Sequence, residues 1–247
     1  MRLAIITAYF KEDRAIIERC IRSVRSQSVP VDHLLVADGH PQAWIGTEGV
    51  RHVALDRNHG DFGDTPRAVG LVLAIREGFD AIQFLDADNL IYPDHARMAA
   101  TLLRDTKAHM LVLKRRVLRP DGSELPYTSV NDENLVAIDT NCYLFARPSF
   151  ATALKWALIP QELSYMGDRV FRSVFSKAGH PVAVAAEPTV GYTSMWENTY
   201  RAVGEEPPPG CRDRAPHAER AAAWWSLLDQ AKRDEIQAVL GITISVT

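Results

Sequence analysis

Two aspartates one residue apart, Asp86 and Asp88, close the apolar run Ala81-Ile82-Gln83-Phe84-Leu85. Side chains two apart in an extended chain share a face. Both carboxylates can therefore meet one point just past the strand's end, where open α/β sheets place their ligands. Oxygen donors of this kind suit a hard divalent cation, Mn²⁺ or Mg²⁺, and leave the remaining positions to phosphate and water. A solvated pair of acids in a surface loop is the plainer alternative, and the strand-end position argues against it.

The elements that position this pair follow from hydrophobic period. Leu3 to Ala8 is a short apolar run of the kind buried on both faces of a sheet. Asp13 to Gln27 carries Ile16, Ile17, Cys20, Ile21 and Val24 at helical spacing, with Pro30 beyond as a stop. Leu34 to Ala37 and His52 to Leu55 predict two more strands, and a loop with Asn58, Gly60 and Gly63 follows. Thr65-Pro66 predicts a helix start, Thr65 as N-cap, with the helix running to Glu77 and closing at Gly78. Arg67 then stands one residue inside a helix N-terminus, where free N–H groups, the dipole and a bidentate guanidinium suit a phosphate; pairing with Asp64 at the surface is the alternative. Beyond it, helices are expected at Pro93 to Leu103, Pro148 to Ala157 and Asp168 to Ala178. Strands are expected at His109 to Lys114, Thr140 to Ala146 and Val182 to Ala186.

Pro207-Pro208-Pro209-Gly210 breaks the chain and predicts an exposed, mobile connection near the site at the strand ends. Ala215 to Leu240 then reads as one terminal helix docking through Trp224, Trp225, Leu228 and Ile236. Three parts are expected within a single compact domain: a regular strand–helix half at 1–114, an irregular half at 115–206, and a helical extension at 207–247.

With 47% hydrophobic and 24% charged residues, the 247-residue chain has the composition of a soluble globular protein. A net charge of -3 gives no pull toward nucleic acid. No apolar run approaches the ~20 residues of a membrane span, which leaves peripheral membrane contact open. Three cysteines without metal-site spacing point to reduced thiols and a cytoplasmic protein.

Three motifs in order, Ile6-Thr7-Ala8-Tyr9-Phe10, Val36-Ala37-Asp38-Gly39 and Phe84-Leu85-Asp86-Ala87-Asp88-Asn89, resemble those of family 2 inverting glycosyltransferases with the GT-A fold. The resemblance spans roughly residues 3 to 200. It implies an α/β fold, a GT-A-type mixed and mostly parallel sheet flanked by helices, with a Rossmann-like nucleotide-binding half, an irregular acceptor-side half and a C-terminal helix. It places Thr7, Ala8 and Tyr9 in the first nucleotide-contact loop, with Tyr9 against the base or packed at the core edge. Asp38 would accept the imide N–H of uracil, although Ala37 and His40-Pro41 depart from the family's Asp-Asp-Gly-Ser-Thr pattern. Arg67, Asp86 and Ala87 would line the donor site. Asp88 is the more direct metal ligand, Asp86 contacting ribose or a metal-bound water.

Met166-Gly167-Asp168-Arg169 resembles the family's acidic motif at the start of an acceptor-side helix. Asp168 would be the general base, while a carboxylate there also stabilises the helix dipole. No histidine stands in Gly191-Tyr192-Thr193-Ser194, where many relatives supply a further metal ligand. Tyr192, Trp196 and Tyr200 recur every four residues and would align on a helical face as a packing stripe or sugar platform. His180 reads as structural, and Asp139-Thr140-Asn141 as a candidate contact to donor sugar or acceptor. The expected partners are a nucleoside-diphosphate sugar, UDP-sugar favoured, and a saccharide or glycoconjugate acceptor. The alternatives are a sugar nucleotidyltransferase, whose Gly-rich loop is missing, and a non-catalytic carbohydrate or nucleotide-sugar module on the same fold.

Overall fold

A computed structural model describes residues 1–128 and 138–246. Its strands are β1 (Leu3–Tyr9), β2 (Asp32–Ala37), β3 (Arg51–Ala54), β4 (Ala81–Phe84), β5 (Leu90–Ile91), β6 (Met110–Leu118), β7 (Tyr143–Ala146) and β8 (Val182–Thr193). They form one mixed sheet in the order β3-β2-β1-β4-β7-β6-β8-β5. The main helices are α1 (Arg14–Arg25), α2 (Asp64–Arg76), α3 (His95–Thr106), α4 (Gly167–Ala178), α5 (Ala215–Leu227) and α6 (Gln230–Leu240).

The β1, β2, β3 and β4 strands are parallel, and every residue of β1 and β4 is buried. Such strands need helices on both faces. On one face α1 turns Ile17, Cys20, Ile21 and Val24 inward. On the other α2 lies so close that a Cβ on Gly70 would stand 2.5 Å from Ile6 Cγ2. Because β2 and β4 flank β1 on opposite sides, their connections diverge and open a crevice at the carboxyl ends of the strands. Beyond β4 the direction alternates: β7 is antiparallel to β4 and β6, and β8 runs parallel to β6 with a register shift near Lys114. This is the mixed, mostly parallel sheet expected from the sequence.

Several local expectations are corrected. Helix α2 begins at Asp64, with Gly63 in the left-handed region as its N-cap. Thr65 lies inside the helix rather than at its cap, and Asp61, two residues before the N-cap, accepts the Thr65 N–H at 2.8 Å. The expected strand from Thr140 starts only at Tyr143, because Asp139 accepts the Asn141 N–H at 3.0 Å and holds Thr140–Cys142 as a turn. The helix expected over Pro148 to Ala157 is a series of short turns, with the Ser149 hydroxyl committed to the Ala146 and His109 carbonyls. Asp229 caps a new helix through the Lys232 N–H at 2.7 Å, so the single terminal helix is two.

Tyr192, Trp196 and Tyr200 share no helical face. Tyr192 belongs to β8, Trp196 precedes the one-turn helix Glu197–Arg201, and Tyr200 is buried with its hydroxyl on the Ser194 carbonyl. His180 is structural as expected, bonded to His109 and Thr152. No helix among the described residues is long and apolar enough to cross a membrane. Cys20, Cys142 and Cys211 are free thiols.

The tight helix–strand contact yields a prediction. Gly70→Ala should lower the urea midpoint at unchanged m, a loss of about 1–3 kcal/mol from overpacking against Ile6. A wild-type midpoint would show that α2 can move off the sheet without cost.

Candidate active site

A cleft of about 620 Å³ opens at the carboxyl ends of β1, β2 and β4. Ala8, Tyr9, Asp38, Arg67, Asp86, Ala87, Asp88 and Asp168 all line it. Of the residues expected at the site, only Thr7 is absent. Residues two apart share a side of a strand, so Thr7 points with Tyr9 toward α1, where its hydroxyl bonds His33 Nε2 at 2.9 Å in a fully buried position. Tyr9 is also committed: its ring packs with Ile17, Ile21 and Leu35, and its hydroxyl meets His52 Nε2 at 2.7 Å and the Gln42 N–H at 3.0 Å. Its ring is thus packed at the core edge and does not offer a face to a base. Ala8 lies on the opposite side of the strand, toward Gly63.

Beneath the cleft runs a buried polar chain. His95 bonds Thr189 and, at 2.6 Å, Gln83 Oε1. Gln83 donates to the Asn141 carbonyl at 3.0 Å. Asn141, with no exposed surface, accepts the Asp86 N–H at 2.6 Å and donates to Asp86 Oδ2 at 2.9 Å. The other Asp86 oxygen takes Arg67 Nη2. Arg67 Nη1 reaches Asp64 at 3.2 Å, and Asp64 accepts the Trp156 indole N–H at 2.6 Å. Burial pulls the Arg67 guanidinium down, but Asp86 and Asp64 outweigh it and hold it above its ordinary value. Arg67 thus makes the pairing with Asp64 that was the alternative reading of its position, but in the interior rather than at the surface. Its charge is buried and balanced by two carboxylates.

Asp88 differs in kind. Its backbone carbonyl is fixed by Arg19 and by the Thr193 hydroxyl, each at 2.6 Å, yet its carboxylate makes no hydrogen bond among the described residues. Burial, with the nearby charges of Asp86, Glu12 and Asp139, pushes that carboxyl up to about 7, against a smaller opposing pull from Arg212. A site with this surplus of negative charge suits a cation. Among the described residues no group of three or more His, Cys, Asp or Glu could hold a metal. A cation here would take one or two carboxylates and fill its shell from phosphate and water, as Mg²⁺ commonly does.

Asp38 lines the cleft with its carboxylate already engaged by His59, through the backbone N–H at 3.1 Å and the imidazole Nδ1 at 2.6 Å. Asp168 lies in the first turn of α4, half-buried, its Oδ1 accepting the Arg169 N–H at 2.7 Å. Burial first and Asp139 second push its carboxyl up to about 6, against Arg169 and Arg214. A carboxylate with that affinity for protons can serve as a general base near neutral pH.

The cleft also holds residues that sequence reasoning did not connect to the site. After the Pro-rich break the chain returns to pair with the segment at Trp196, Arg212 N–H donating to the Met195 carbonyl at 2.8 Å. This brings Arg212 and Arg214 into the cleft beside Trp196, Tyr165 and Phe62. The alternation Arg212-Asp213-Arg214 was the available signal, since residues two apart on an extended segment face one way.

No protein-family model and no curated protein matches the chain. Solved structures do. S. aureus TarS, a glycosyltransferase, superposes with a TM-score of 0.61 at 16% identity over 97% of this chain and 43% of that one. S. aureus TarS 1-349 in complex with UDP-GlcNAc gives 0.62 at 16% identity, over 97% of this chain and 71% of that one. The complex of TarS 1-349 with UDP gives 0.62 over 70% of that chain. The chain thus spans under half of the longer TarS structure and has a GT-A-like fold.

Clustered carboxylates make a stability prediction. A carboxyl raised to about 7 from its ordinary 3.8 adds stability that is complete below about pH 4 and is lost as pH rises through 7. Asp88→Asn should therefore raise the metal-free urea midpoint relative to wild type at pH 8 and lose that advantage at pH 4. A variant that is less stable at pH 8 would mean that Asp88 is held by favourable contacts.

Proposed function

We propose that this chain is a metal-dependent, inverting glycosyltransferase of the family 2 type, moving a sugar from a nucleoside diphosphate, UDP favoured, to an acceptor hydroxyl. One observation carries the reading: Asp88, without a hydrogen bond to its carboxylate, and the half-buried Asp168 face one cleft at the strand ends of a GT-A-like sheet. Each has the chemistry of one half-reaction. The complexes of S. aureus TarS 1-349 with UDP and UDP-GlcNAc support a nucleotide-sugar donor.

In this reading Asp88, and Asp86 through a water or directly, would hold Mn²⁺ or Mg²⁺ against the donor diphosphate. When bound, the cation offsets the negative charge that collects on the departing diphosphate. Asp86 is fixed from two sides by Arg67 and Asn141, so the site needs little rearrangement on binding. Ala8 and Ala87, both small, let the donor approach the backbone at the ends of β1 and β4. Asp38 Oδ2 has one contact, at 3.1 Å, and keeps capacity to accept the uracil imide N–H. Asp168 takes the proton of the acceptor hydroxyl. The oxygen then forms its bond to the anomeric carbon opposite the diphosphate, whose bond to that carbon breaks with the electron pair, and configuration inverts.

Two variants separate these roles. Asp88→Ala should abolish cation-dependent binding of UDP in calorimetry, and unchanged affinity with or without chelator would sink the metal assignment. Asp168→Asn should leave UDP and Mn²⁺ affinity nearly unchanged and cut transfer by about 10²-fold or more. Because the base must be ionised, wild-type kcat/KM should climb as pH rises through about 6 and then level. Near-normal transfer by Asp168→Asn, or an unchanged acid limb in its residual rate, would move the base elsewhere.

A further inference from the structure

Three guanidinium groups of the cleft form no close ion pair among the described residues, although Arg169 and Arg214 act at longer range on Asp168 and Arg212 on Asp88. Arg169, Arg212 and Arg214 all line the cleft and are exposed, and none has an ion pair among the described residues. The other arginines of the cleft are accounted for: Arg67 lies between Asp64 and Asp86, and Arg115 pairs with Asp139 at 2.7 Å. Arg212 and Arg214 both stack on Trp196, their guanidinium carbons 4.5 and 4.9 Å from the ring centre. Stacking fixes the flat of each group and leaves its N–H edges free for a ligand. Trp196, Tyr165 and Phe62 supply aromatic surface in the same cleft.

We propose that Arg169, Arg212 and Arg214 form an anion subsite on the acceptor side, so that the acceptor is a saccharide bearing a phosphate or carboxylate group. The proposal rests on the glycosyltransferase reading of the cleft. A neutral sugar has no use for three such cations, whereas guanidinium edges match phosphate and carboxylate oxygens in bidentate fashion. Position favours acceptor over donor: Arg169 adjoins Asp168, the residue assigned to the acceptor hydroxyl, and Arg214 also acts on Asp168, while of the three only Arg212 acts on Asp88. The arrangement also has a catalytic consequence. Arg169 and Arg214 weaken Asp168 as a base by favouring its ionised form. An anion bound to them cancels that pull, so the base strengthens when the acceptor is in place.

The test titrates glucose, glucose 6-phosphate and glucuronate into the full chain, with and without UDP and Mn²⁺, for wild type, Arg212→Ala and the double variant Arg169→Ala/Arg214→Ala. Glucose 6-phosphate, glucuronate or both should bind wild type at least tenfold tighter than glucose, the stronger identifying phosphate or carboxylate as the group recognised. That ratio should collapse in the double variant while UDP–Mn²⁺ affinity stays within about twofold, which also reports an intact fold. Equal binding of all three sugars by wild type would overturn the proposal. So would a tenfold loss of UDP–Mn²⁺ affinity in the variants with the sugar ratio unchanged, which would assign the arginines to the donor diphosphate. Failure of wild type to bind UDP, with the sugar ratio intact and lost in the double variant, would remove the glycosyltransferase reading and leave the anion subsite standing.

Discussion

The structure turns on the clamp that Arg67 and Asn141 place on Asp86. A guanidinium buried among helix α2, the end of β4 and Trp156 cannot stay charged without partners, and it cannot lose its proton. Asp86 and Asp64 provide the partners. One cation between two acids leaves a surplus, and the buried Asp64 bears it: burial pushes its carboxyl up to about 6, against the pull of Arg67 and of the hydrogen bond from Trp156. Asn141 closes the other side by bonding both the backbone and the side chain of Asp86. The clamp therefore joins the regular half of the sheet, through β4 and α2, to the irregular half, through the turn before β7. Asp86 contributes to holding the two halves in register as well as to the cleft.

That division explains why adjacent acids have unlike surroundings. The hydrogen bonds of Asp86 are internal, and its position is set before any ligand arrives. Asp88 has a fixed backbone and an unengaged carboxylate. A residue so placed weakens the ligand-free protein, since an ionised carboxyl near Asp86, Glu12 and Asp139 is both desolvated and repelled. Binding sites commonly sacrifice stability in this way for a ligand that supplies the missing charge.

Much of this was legible in the sequence because it is local. β1 and β4 read as strands since every position is apolar or nearly so, and Asp86 and Asp88 follow from where β4 stops. The same locality predicted Asp168 at the head of α4. What failed was non-local or ignored the pleat. Thr7 and Tyr9 were grouped with Ala8 as one contact loop, yet alternation sends both toward α1 and only Ala8 toward α2. Arg67 was read from its helix start, but its partner Asp86 lies 19 residues on, across the sheet. Asp38 acquired His59, 21 residues away. The turn at Thr140–Cys142 looked like strand because Asp139's capping bond outweighs the apolar run that follows. Arg212 and Arg214 reach the cleft only because the chain beyond the Pro-rich break pairs at Trp196, a contact no local period encodes.

The charge layout carries a final consequence for the proposed reaction. The cleft gathers Glu12, Asp86, Asp88 and Asp139, of which Asp86 and Asp139 have arginine ion pairs and Asp88 has none among the described residues. A bare diphosphate approaching Asp88 meets like charge in a site of reduced dielectric, where repulsion is stronger than in water. Cation and diphosphate must then enter as a unit or in close succession, each removing the other's obstacle. The same cleft also carries the reverse sign, in the exposed Arg169, Arg212 and Arg214, the last two stacked on Trp196. An anion drawn to the cleft by long-range field would be received there rather than at the carboxylates. The two signs thus separate two negatively charged ligands that would otherwise compete: one arrives with its cation at Asp88, the other without one beside Asp168, on opposite sides of the bond to be made.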